Sequence, residues 1–341
     1  MHYIILDLEW NQASESQMDS ITYPSSPLHF EIIEIGAVKV DLSGNILGEF
    51  GELIRPVVYP HLFERIREVV KITEEDLLKA RSFPDVWKDF ISWCGTDCRF
   101  CTWGSMDLTE LQRNIDFYGL ENPFPLPLLY YDIQKLYSLA FEDGKVRRAL
   151  DYAIHALILP EQGAFHRALS DAYYTWMVMD SLDMDSLRSM VSIDYHRPPR
   201  DKKEEIYLKF ETYSKFVSRI FSSKEDAMMD KNVTSTVCYQ CGHAAKRKIR
   251  WFSNANRHYF SLSYCPDHGW LKGKIRMKKA EDNSGVYAVK ILKLVDESSA
   301  FKIFQKQQEI RKKRKLKHQN ELSDNQTGRT ASNDEINFKG D

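Results

Sequence analysis

Residues 4–9, IILDLE, place two carboxylates two positions apart in an apolar run that is typical of a β-strand. Because side chains alternate between the two faces of a strand, Asp7 and Glu9 project to the same side. Two anions ~4 Å apart repel by roughly 4 kcal/mol at an effective dielectric near ~20, so one must be protonated or a cation must bridge them. A hard divalent metal ion meets this need. The alternative is that the two carboxylates lie on a solvent-exposed face of the strand and need no cation.

The segments around this strand predict an α/β fold. Residues 32–40 and 46–54 form two further predicted strands, joined by a hairpin turn at 41–45. The pattern then alternates between helices and strands, which indicates a mixed sheet flanked by helices. These later elements are helices at 83–91, 108–118, 149–159 and 166–182, and strands at 99–103 and 126–131.

A chain of 341 residues with 43% hydrophobic content can bury a full core, and its length suggests two domains. No stretch reaches the length of a membrane span, and the first residues lack the pattern of a secretory leader. We therefore expect a cytoplasmic protein with no membrane partner. Six cysteines are too few for a disulfide scaffold, which favours reduced thiols and metal binding.

The net charge of −2 hides two halves of opposite sign. Residues 1–185 contain 30 acidic and 15 basic side chains, a net charge of −15, and the remainder contains 19 acidic and 32 basic side chains, a net charge of +13. This division suggests two different tasks. The acidic half suits an enzyme that needs cations, and the basic half suits a surface for polyanions such as nucleic acid.

Three more polar residues follow the acidic pair in a suggestive order. Asp107 comes after a short strand at the start of a predicted helix, where an ordinary helix cap also favours a carboxylate. His166 precedes Asp171 by five residues, a spacing that can bring both side chains to one site. Each has an ordinary explanation when taken alone, but the order of these three after Asp7 and Glu9 is specific.

The pattern Asp7-x-Glu9, Asp107 and His166-x4-Asp171, with IEIGAV at 33–38, resembles the DEDDh (DnaQ-like) 3′-5′ exonuclease family over residues 1–182. Trp10 and the WGSMD motif that ends at Asp107 are more similar to the ERI-1-like and KapD-like branch. The resemblance implies an RNase H-like fold. It also implies that the four acids are metal ligands and that the histidine is the general base.

The chemistry of these residue types agrees with the resemblance. Four carboxylates can hold two Mg²⁺ or Mn²⁺ ions ~4 Å apart around one phosphodiester. His166, with a reference pKa of ~6.5, can accept a proton from an attacking water at neutral pH. Leu8 and Trp10 flank the acidic pair, where residues of this family shape the pocket for the terminal nucleotide. Trp10 can stack on a base or simply cap the sheet, and Glu34 is left outside the metal site.

The basic half contains paired metal-ligand motifs. Cys238 and Cys241 are separated by two residues, and Cys265 and His268 repeat that spacing further along the chain. This is the pattern of a tetrahedral Cys₃His zinc site, with His243 as an alternative fourth ligand. The segment 251–264 between the two motifs fits a β-hairpin, so the unit resembles a small zinc ribbon. The three remaining cysteines are interpreted as buried thiols: Cys94, Cys98 and Cys101.

Basic and aromatic residues alternate between residues 246 and 279, and a second basic run occupies residues 311–317. This mixture suits contact with a nucleic-acid backbone and stacking on bases, although a solvated charged face is the alternative. A ribosome or ribonucleoprotein is a further partner that this region would suit. The predicted substrate contacts here are Lys246, Arg247, Arg250 and Trp251.

The predicted organisation is an exonuclease domain at 1–185, a linker with an amphipathic helix (206–221) at 186–234, a zinc-ribbon-like domain at 235–296, and a basic helix with a disordered tail at 297–341. The predicted activity is hydrolysis of single-stranded 3′ ends to nucleoside 5′-monophosphates. RNA is favoured over DNA only by the ERI-1-like resemblance. The alternatives are a DNA proofreading or repair exonuclease, and a nucleic-acid-binding adaptor with a degenerate exonuclease fold. The five intact positions count against the adaptor.

Overall fold

The structure is a computed structural model that describes residues 1–12, 28–161, 163–254 and 257–331, with the backbone alone at residues 314 and 317–331. The chain divides into two compact units, 1–197 and 198–341, which are described separately. Within the described ranges, no helix is both long enough and apolar enough to cross a lipid bilayer.

The first unit is built on a six-stranded mixed sheet with the strand order β3-β2-β1-β4-β5-β6. The strands are β1 (His2–Asn11), β2 (Glu31–Val40), β3 (Ile46–Leu53), β4 (Cys98–Thr102), β5 (Leu128–Asp132) and β6 (Ser192–Asp194). The first three strands pair antiparallel, β4 lies parallel to both β1 and β5, and β6 is antiparallel to β5. The predicted mixed sheet is confirmed.

Eight helices of the described chain complete this unit. They are α1 (Glu64–Val69), α2 (Glu74–Lys79), α3 (Phe83–Cys94), α4 (Met106–Phe117), α5 (Ile133–Phe141), α6 (Leu150–Ala156), α7 (Ala168–Asp180) and α8 (Met184–Leu187). Two buried cores lie on opposite faces of the sheet. Ile4, Leu6 and Leu8 of β1 pack into one core with α3 and α4, and Tyr3 and Ile5 pack into the other with α5, α6 and α7.

The second unit contains an antiparallel six-stranded sheet with the order β7-β8-β12-β11-β10-β9. Its strands are β7 (Ile206–Lys209), β8 (Tyr213–Val217), β9 (Lys246–Asn254), β10 (His258–Cys265), β11 (Gly269–Lys279) and β12 (Val286–Val295). Its helices are α9 (Lys224–Met229), α10 (Lys231–Thr234) and α11 (Glu297–Ala331). The hairpin predicted between the metal-ligand motifs is present as β9 and β10.

The predicted amphipathic helix at 206–221 is wrong, because the structure forms the hairpin β7–β8 there. In so short a segment the apolar positions fit both the helical period of ~3.6 residues and the strand period of ~2 residues. Pairing of β8 with β12 stabilises the strand conformation. The predicted linker at 186–234 is likewise replaced by strands β6 to β8 and helices α9 and α10. The predicted disordered tail after Leu316 is contradicted up to Ala331 by helix α11, and residues 332–341 lie outside the described ranges.

Candidate active site

The acidic pair continues the β1 face that packs toward α7. Asp7 and Glu9 have the same strand parity as Tyr3 and Ile5, whose side chains contribute to the core shared with α7. Across the antiparallel ladder, Asp7 faces Gly36 of β2, and Glu9 faces Glu34. The pairing therefore brings the IEIGAV motif of β2 directly beside the two carboxylates.

Gly36 permits an unusually close approach between β2 and the first turn of α7. A Cβ atom built on Gly36 would lie 2.0 Å from both the carbonyl carbon of Ala168 and the amide nitrogen of Leu169. Both atoms belong to the backbone, so no side-chain rotation can relieve the clash. The position has no positive φ, so space rather than backbone conformation requires glycine here.

We expect Gly36→Ala to displace the start of α7, and with it Asp171. Overpacking of this kind typically costs about 1–3 kcal/mol, and moving a catalytic group by ~1 Å can cost ~100-fold in rate. Activity should therefore fall further than thermal stability, measured by exonuclease assay and by Tm. Gly48→Ala is the matched control, since its Cβ would meet Trp93 at an ordinary 3.7 Å. Equal activity of the two variants would contradict the assigned role of Gly36.

Asp107 reaches the site from the first turn of α4, just beyond the end of β4. Its carboxylate accepts a hydrogen bond from the backbone N–H of Leu8, which lies between the two acids of β1. Its side chain is only 6% exposed. Asp132, at the end of the neighbouring parallel strand β5, is also buried and raises the pKa of Asp107. The sequence reasoning missed Asp132, although its position directly after a predicted strand could have indicated it.

His166 and Asp171 lie at the start of α7, but His166 stands two residues before the helix rather than inside it. Its φ of 64° places it in the left-handed region, which is uncommon for residues other than glycine. The backbone N–H of His166 donates a 3.1 Å hydrogen bond to Oδ2 of Asp171. Ligand atoms of Glu9, His166 and Asp171 all lie within 4.8 Å of one another. The His166 side chain remains exposed, so solvent can reach the ring.

An ion pair between the buried Glu34 and the half-buried Arg167 fixes this backbone conformation. Glu34, which is 3% exposed, accepts hydrogen bonds from Nε and Nη2 of Arg167 at 3.1 and 2.8 Å. Its second oxygen accepts the backbone N–H of Ala168 at 3.2 Å. Because Arg167 directly follows His166, the fork between Arg167 and Glu34 holds the turn that presents the histidine. Glu34 is thus committed to Arg167, consistent with leaving it outside the metal site.

The pKa values show that the four acids converge. Burial raises the pKa of Asp7 well above its usual range, and the charges of Asp107, Asp171 and Glu9 raise it further. Burial and the neighbouring carboxylates raise the pKa of Glu9 to about 8. Burial likewise raises the pKa of Asp107 to about 7 and that of Asp171 to about 6. The protein itself supplies too little positive charge to keep these groups ionised together.

We expect the metal-free protein to lose stability as the pH rises from about 4 to about 8. These carboxyls bind protons more tightly in the folded chain than in the unfolded chain, so the free energy of unfolding falls with pH over this interval. Their contribution is complete below the ordinary carboxyl pKa of ~4. Mg²⁺ at pH 8 should restore it. The check is Tm with and without Mg²⁺ at pH 5 and pH 8, and a Mg²⁺ effect that is no larger at pH 8 would contradict this prediction.

The donor set fits hard divalent cations. Asp171 is 8% exposed, and its Oδ1 is buried with no hydrogen-bond partner among the described residues. Its other oxygen is held by the His166 N–H, so the free oxygen is oriented and available as a ligand. Carboxylate oxygens are the ligands that Mg²⁺ and Mn²⁺ prefer. Among the predicted ligands, Glu9 and Asp171 have ligand atoms within 4.8 Å of each other. Asp7 lies close enough to Asp107, Asp171 and Glu9 for their charges to raise its pKa.

Two predicted substrate contacts lie elsewhere. The Leu8 side chain is 4% exposed and packs into the core on the opposite face of β1, so only its backbone N–H reaches the site. Trp10 is partly buried, and its ring lies 5.5 Å from that of Phe30. This placement fits the alternative that Trp10 caps the sheet.

The second unit brings the predicted zinc ligands together. The ligand atoms of Cys238, Cys241, Cys265 and His268 all lie within 4.8 Å of one another. Sγ of Cys265 is 3.6 Å from Sγ of Cys241 and 3.7 Å from Nδ1 of His268. Tetrahedral Zn–S bonds of ~2.3 Å imply S···S separations of ~3.8 Å, so the cluster has the dimensions of a zinc site. Desolvation opposes ionisation of Cys265, but hydrogen bonds from His268 and Asp267 lower its pKa to about 6.

His243 is the weaker candidate for the fourth ligand. It groups with Cys241 and Asp267 rather than with all three cysteines, and its Nδ1 lies 3.7 Å from the Asp267 carboxylate. We therefore expect His268→Ala in the full chain to lose most of its bound zinc, whereas His243→Ala keeps one zinc per chain. Colorimetric zinc release by a thiol-blocking reagent measures both. Zinc loss from His243→Ala alone would reverse the assignment.

The predicted substrate contacts of the second unit differ in exposure. Lys246, Arg247 and Arg250 are exposed on β9, the edge strand of the second sheet. Trp251 is partly buried, and its indole N–H donates a 2.9 Å hydrogen bond to the carbonyl of Thr234. Its ring also packs against Gly273. Trp251 therefore packs against the core of the second unit, and its stacking on a base stays a prediction.

The mixed sheet and the acidic centre define a nuclease of the RNase H-like class. The exonuclease family model RNase_T matches residues 5–179, which is more than half of the chain, and the chain belongs to this family. It is 28% identical over 171 residues to the "Probable 3′-5′ exonuclease KapD" of Bacillus subtilis (strain 168), a match that covers 47% of this chain and 78% of that protein. The chain is accordingly a 3′-5′ exonuclease, and the predicted membership of an exonuclease family is confirmed.

Solved structures also resemble the chain. The nuclease domain of 3′hExo, described as a DEDDh family member bound to rAMP, has a TM-score of 0.46 and 21% identity, and the match covers 57% of this chain and 96% of that one. Cell-death related nuclease 4 (CRN-4) has a TM-score of 0.45 and 18% identity, with 60% of this chain and 73% of that one covered.

Proposed function

We propose that this exonuclease hydrolyses single-stranded RNA from its 3′ end to nucleoside 5′-monophosphates, using two divalent cations. The observation that carries the proposal is the convergence of four carboxylates. Burial raises the pKa of each, and neighbouring members of the set raise the pKa values of Asp7 and Glu9 further. Bound cations neutralise the negative charge of such a centre and so allow its carboxylates to ionise together. The preference for RNA rests on the resemblance to the ERI-1-like and KapD-like branch.

The residues of the chain have distinct roles in this proposal. Asp7, Glu9, Asp107 and Asp171 would hold the cations, which when bound supply Lewis-acid stabilisation of the charge that develops on the phosphate. His166 accepts the proton of the attacking water, because its ring is exposed to solvent beside Glu9 and Asp171. The fork between Arg167 and Glu34 keeps that ring in position.

The second unit is proposed to hold one structural Zn²⁺ and to contribute to substrate binding. Cys238, Cys241, Cys265 and His268 supply the ligands, and the soft thiolate set favours zinc over the hard cations of the active site. The excess positive charge of this half suits a polyanionic partner, either the substrate itself or a ribonucleoprotein.

Matched 5′-labelled single-stranded RNA and DNA oligonucleotides test the proposal. With Mg²⁺ or Mn²⁺, we expect a ladder of 5′-labelled products that shorten from the 3′ end, faster for RNA, and release of nucleoside 5′-monophosphates. A brief EDTA treatment should stop the reaction and added Mg²⁺ should restore it. Faster digestion of DNA would favour the repair alternative. Tight binding of both strands without cleavage would favour the adaptor.

A further inference from the structure

Strand β11 of the second unit carries a row of cations on one face. Lys272, Lys274 and Arg276 occupy alternate positions, and the residues between them are buried on the other face. By strand geometry their Cα atoms are spaced by about 6.6 Å. This spacing is close to the distance between successive phosphates of an extended single strand. The row is therefore suited to follow a stretched sugar–phosphate backbone.

Neighbouring elements add positive charge to this row. Lys293 of β12 pairs with Lys272. His258 of β10 pairs with Arg276, but burial and the charges of Lys274 and Arg276 lower its pKa, so it adds no positive charge at neutral pH. From helix α11, Lys306 places its ammonium 4.4 Å from the ring centroid of Phe260, which pairs with Lys274. The cations of two strands and one helix thus meet on one surface.

Among the described residues, no carboxylate pairs with the cations of this row. None of Lys272, Lys274, Arg276 and Lys293 forms a salt bridge with another described side chain. Desolvation lowers the pKa of Lys272, and the charges of Lys274 and Lys293 lower it further. Like charges held this close destabilise the folded unit unless an anion binds. Evenly spaced cations without acids are a feature of surfaces that bind polyanions.

Two aromatic rings lie at one end of the row. Tyr264 of β10 pairs with Trp270 of β11, and their ring centroids are 5.2 Å apart at 76°. Tyr264 is 38% exposed. An exposed ring beside a row of cations is the combination that binds unpaired bases while the backbone contacts the cations. In a duplex the bases are stacked and paired, so this ring could not reach a base face.

We propose that this surface binds single-stranded nucleic acid, with the backbone along β11 and a base on Tyr264. We name it the basic–aromatic face and define it as Tyr264, Trp270, Lys272, Lys274, Arg276 and Lys293. The proposal rests on the proposed role of the second unit in substrate binding. It assigns that role to the centre of the sheet instead of the β9 residues that the sequence suggested.

The test compares the full chain carrying Lys272→Gln, Lys274→Gln and Arg276→Gln with a control carrying Lys202→Gln, Lys203→Gln and Lys231→Gln. The control removes the same charge from exposed positions outside the face. Both also carry Asp7→Asn to prevent cleavage, and affinity for a labelled single-stranded RNA is measured by anisotropy across salt concentrations. Neutralising the face should weaken binding about tenfold and reduce the slope of log K against log salt by about 2.

Further variants separate charge, stacking and folding. Replacing the three cations conservatively, Lys272→Arg, Lys274→Arg and Arg276→Lys, should keep wild-type affinity, which shows that the Gln variant lost charge and not structure. Tyr264→Leu should lower single-strand affinity about tenfold while retaining its zinc. Equal affinity and salt slope for the Gln variant and its control would overturn the proposal. Tighter binding of duplex than of single strand by the wild-type face would also overturn it.

Cleavage of a dinucleotide distinguishes this proposal from the proposed function. A dinucleotide contains a single phosphodiester, which is the bond that the active site must hold, and has no further backbone for the row of cations. Chains with native Asp7 should therefore cleave it at the same rate whether or not the face is neutralised. If the wild-type chain cleaves no RNA, the proposed substrate is wrong, whatever the binding data show. If cleavage is normal but the face does not affect binding, only the present inference fails.

Discussion

Replacing Asp7 with Asn should abolish measurable exonuclease activity. The substitution keeps the shape of the side chain but removes the charge at the centre of the acidic cluster, where the structure places Asp107, Asp171 and Glu9 around it. Loss of cation binding removes several kcal/mol of transition-state stabilisation, which corresponds to a rate reduction on the order of 10³-fold or more. The measurement is release of nucleotides from labelled RNA at saturating Mg²⁺.

The same substitution should not harm folding. Asn is neutral, so Asp7→Asn relieves repulsion among buried carboxylates, and the metal-free variant should be at least as stable as the metal-free wild type at pH 8. Asp185→Asn is the control, because that side chain is 84% exposed. It should retain full activity. Substantial nuclease activity in a well-folded Asp7→Asn protein would refute the assignment of the metal centre.

Replacing His166 should reduce kcat by about 10²- to 10⁴-fold, the usual contribution of a general base. His166→Ala removes the base but also places alanine at a φ of 64°, so His166→Asn is the better variant, since asparagine tolerates the left-handed region. Binding of the RNA 3′ end should be nearly unchanged, because the four metal ligands remain. Steady-state kinetics and anisotropy on the same protein separate the two effects.

The pH profile adds a readout that a merely structural role would not alter. If His166 is the base, the pH dependence of kcat at saturating Mg²⁺ should change in His166→Asn, whereas His155→Ala, which removes an exposed histidine on α6, should leave the profile unchanged. A His166→Asn enzyme with near wild-type kcat would show that another group takes the proton.

The site was largely predictable from the sequence because its residues are few and chemically distinctive. Alternation along a strand is sufficient to place Asp7 and Glu9 on one face, and the spacing of His166 and Asp171 is sufficient to pair them. The backbone between the last two was not predictable, because its left-handed turn depends on Glu34, a residue 133 positions away from Arg167 in the chain. Long-range pairs of this kind leave no local pattern.

The second unit was harder to predict for the same reason. The strand character of residues 206–217 depends on pairing with β12, which lies about seventy residues further along the chain. Metal-ligand motifs were recognisable because their spacing is local. The position of Trp251, in contrast, depends on Gly273 of another strand, so its partial burial against the core was not predictable from the local sequence.

The acidic centre forms only when α7 packs against Gly36, and this requirement affects when the enzyme becomes active during its synthesis. During synthesis, β1 and β2 leave the ribosome long before α7 does, and domains generally fold as the N-terminal part emerges. Until the helix docks against Gly36, the centre lacks both its histidine and its last carboxylate. A growing polypeptide therefore carries an incomplete nuclease beside the messenger that encodes it.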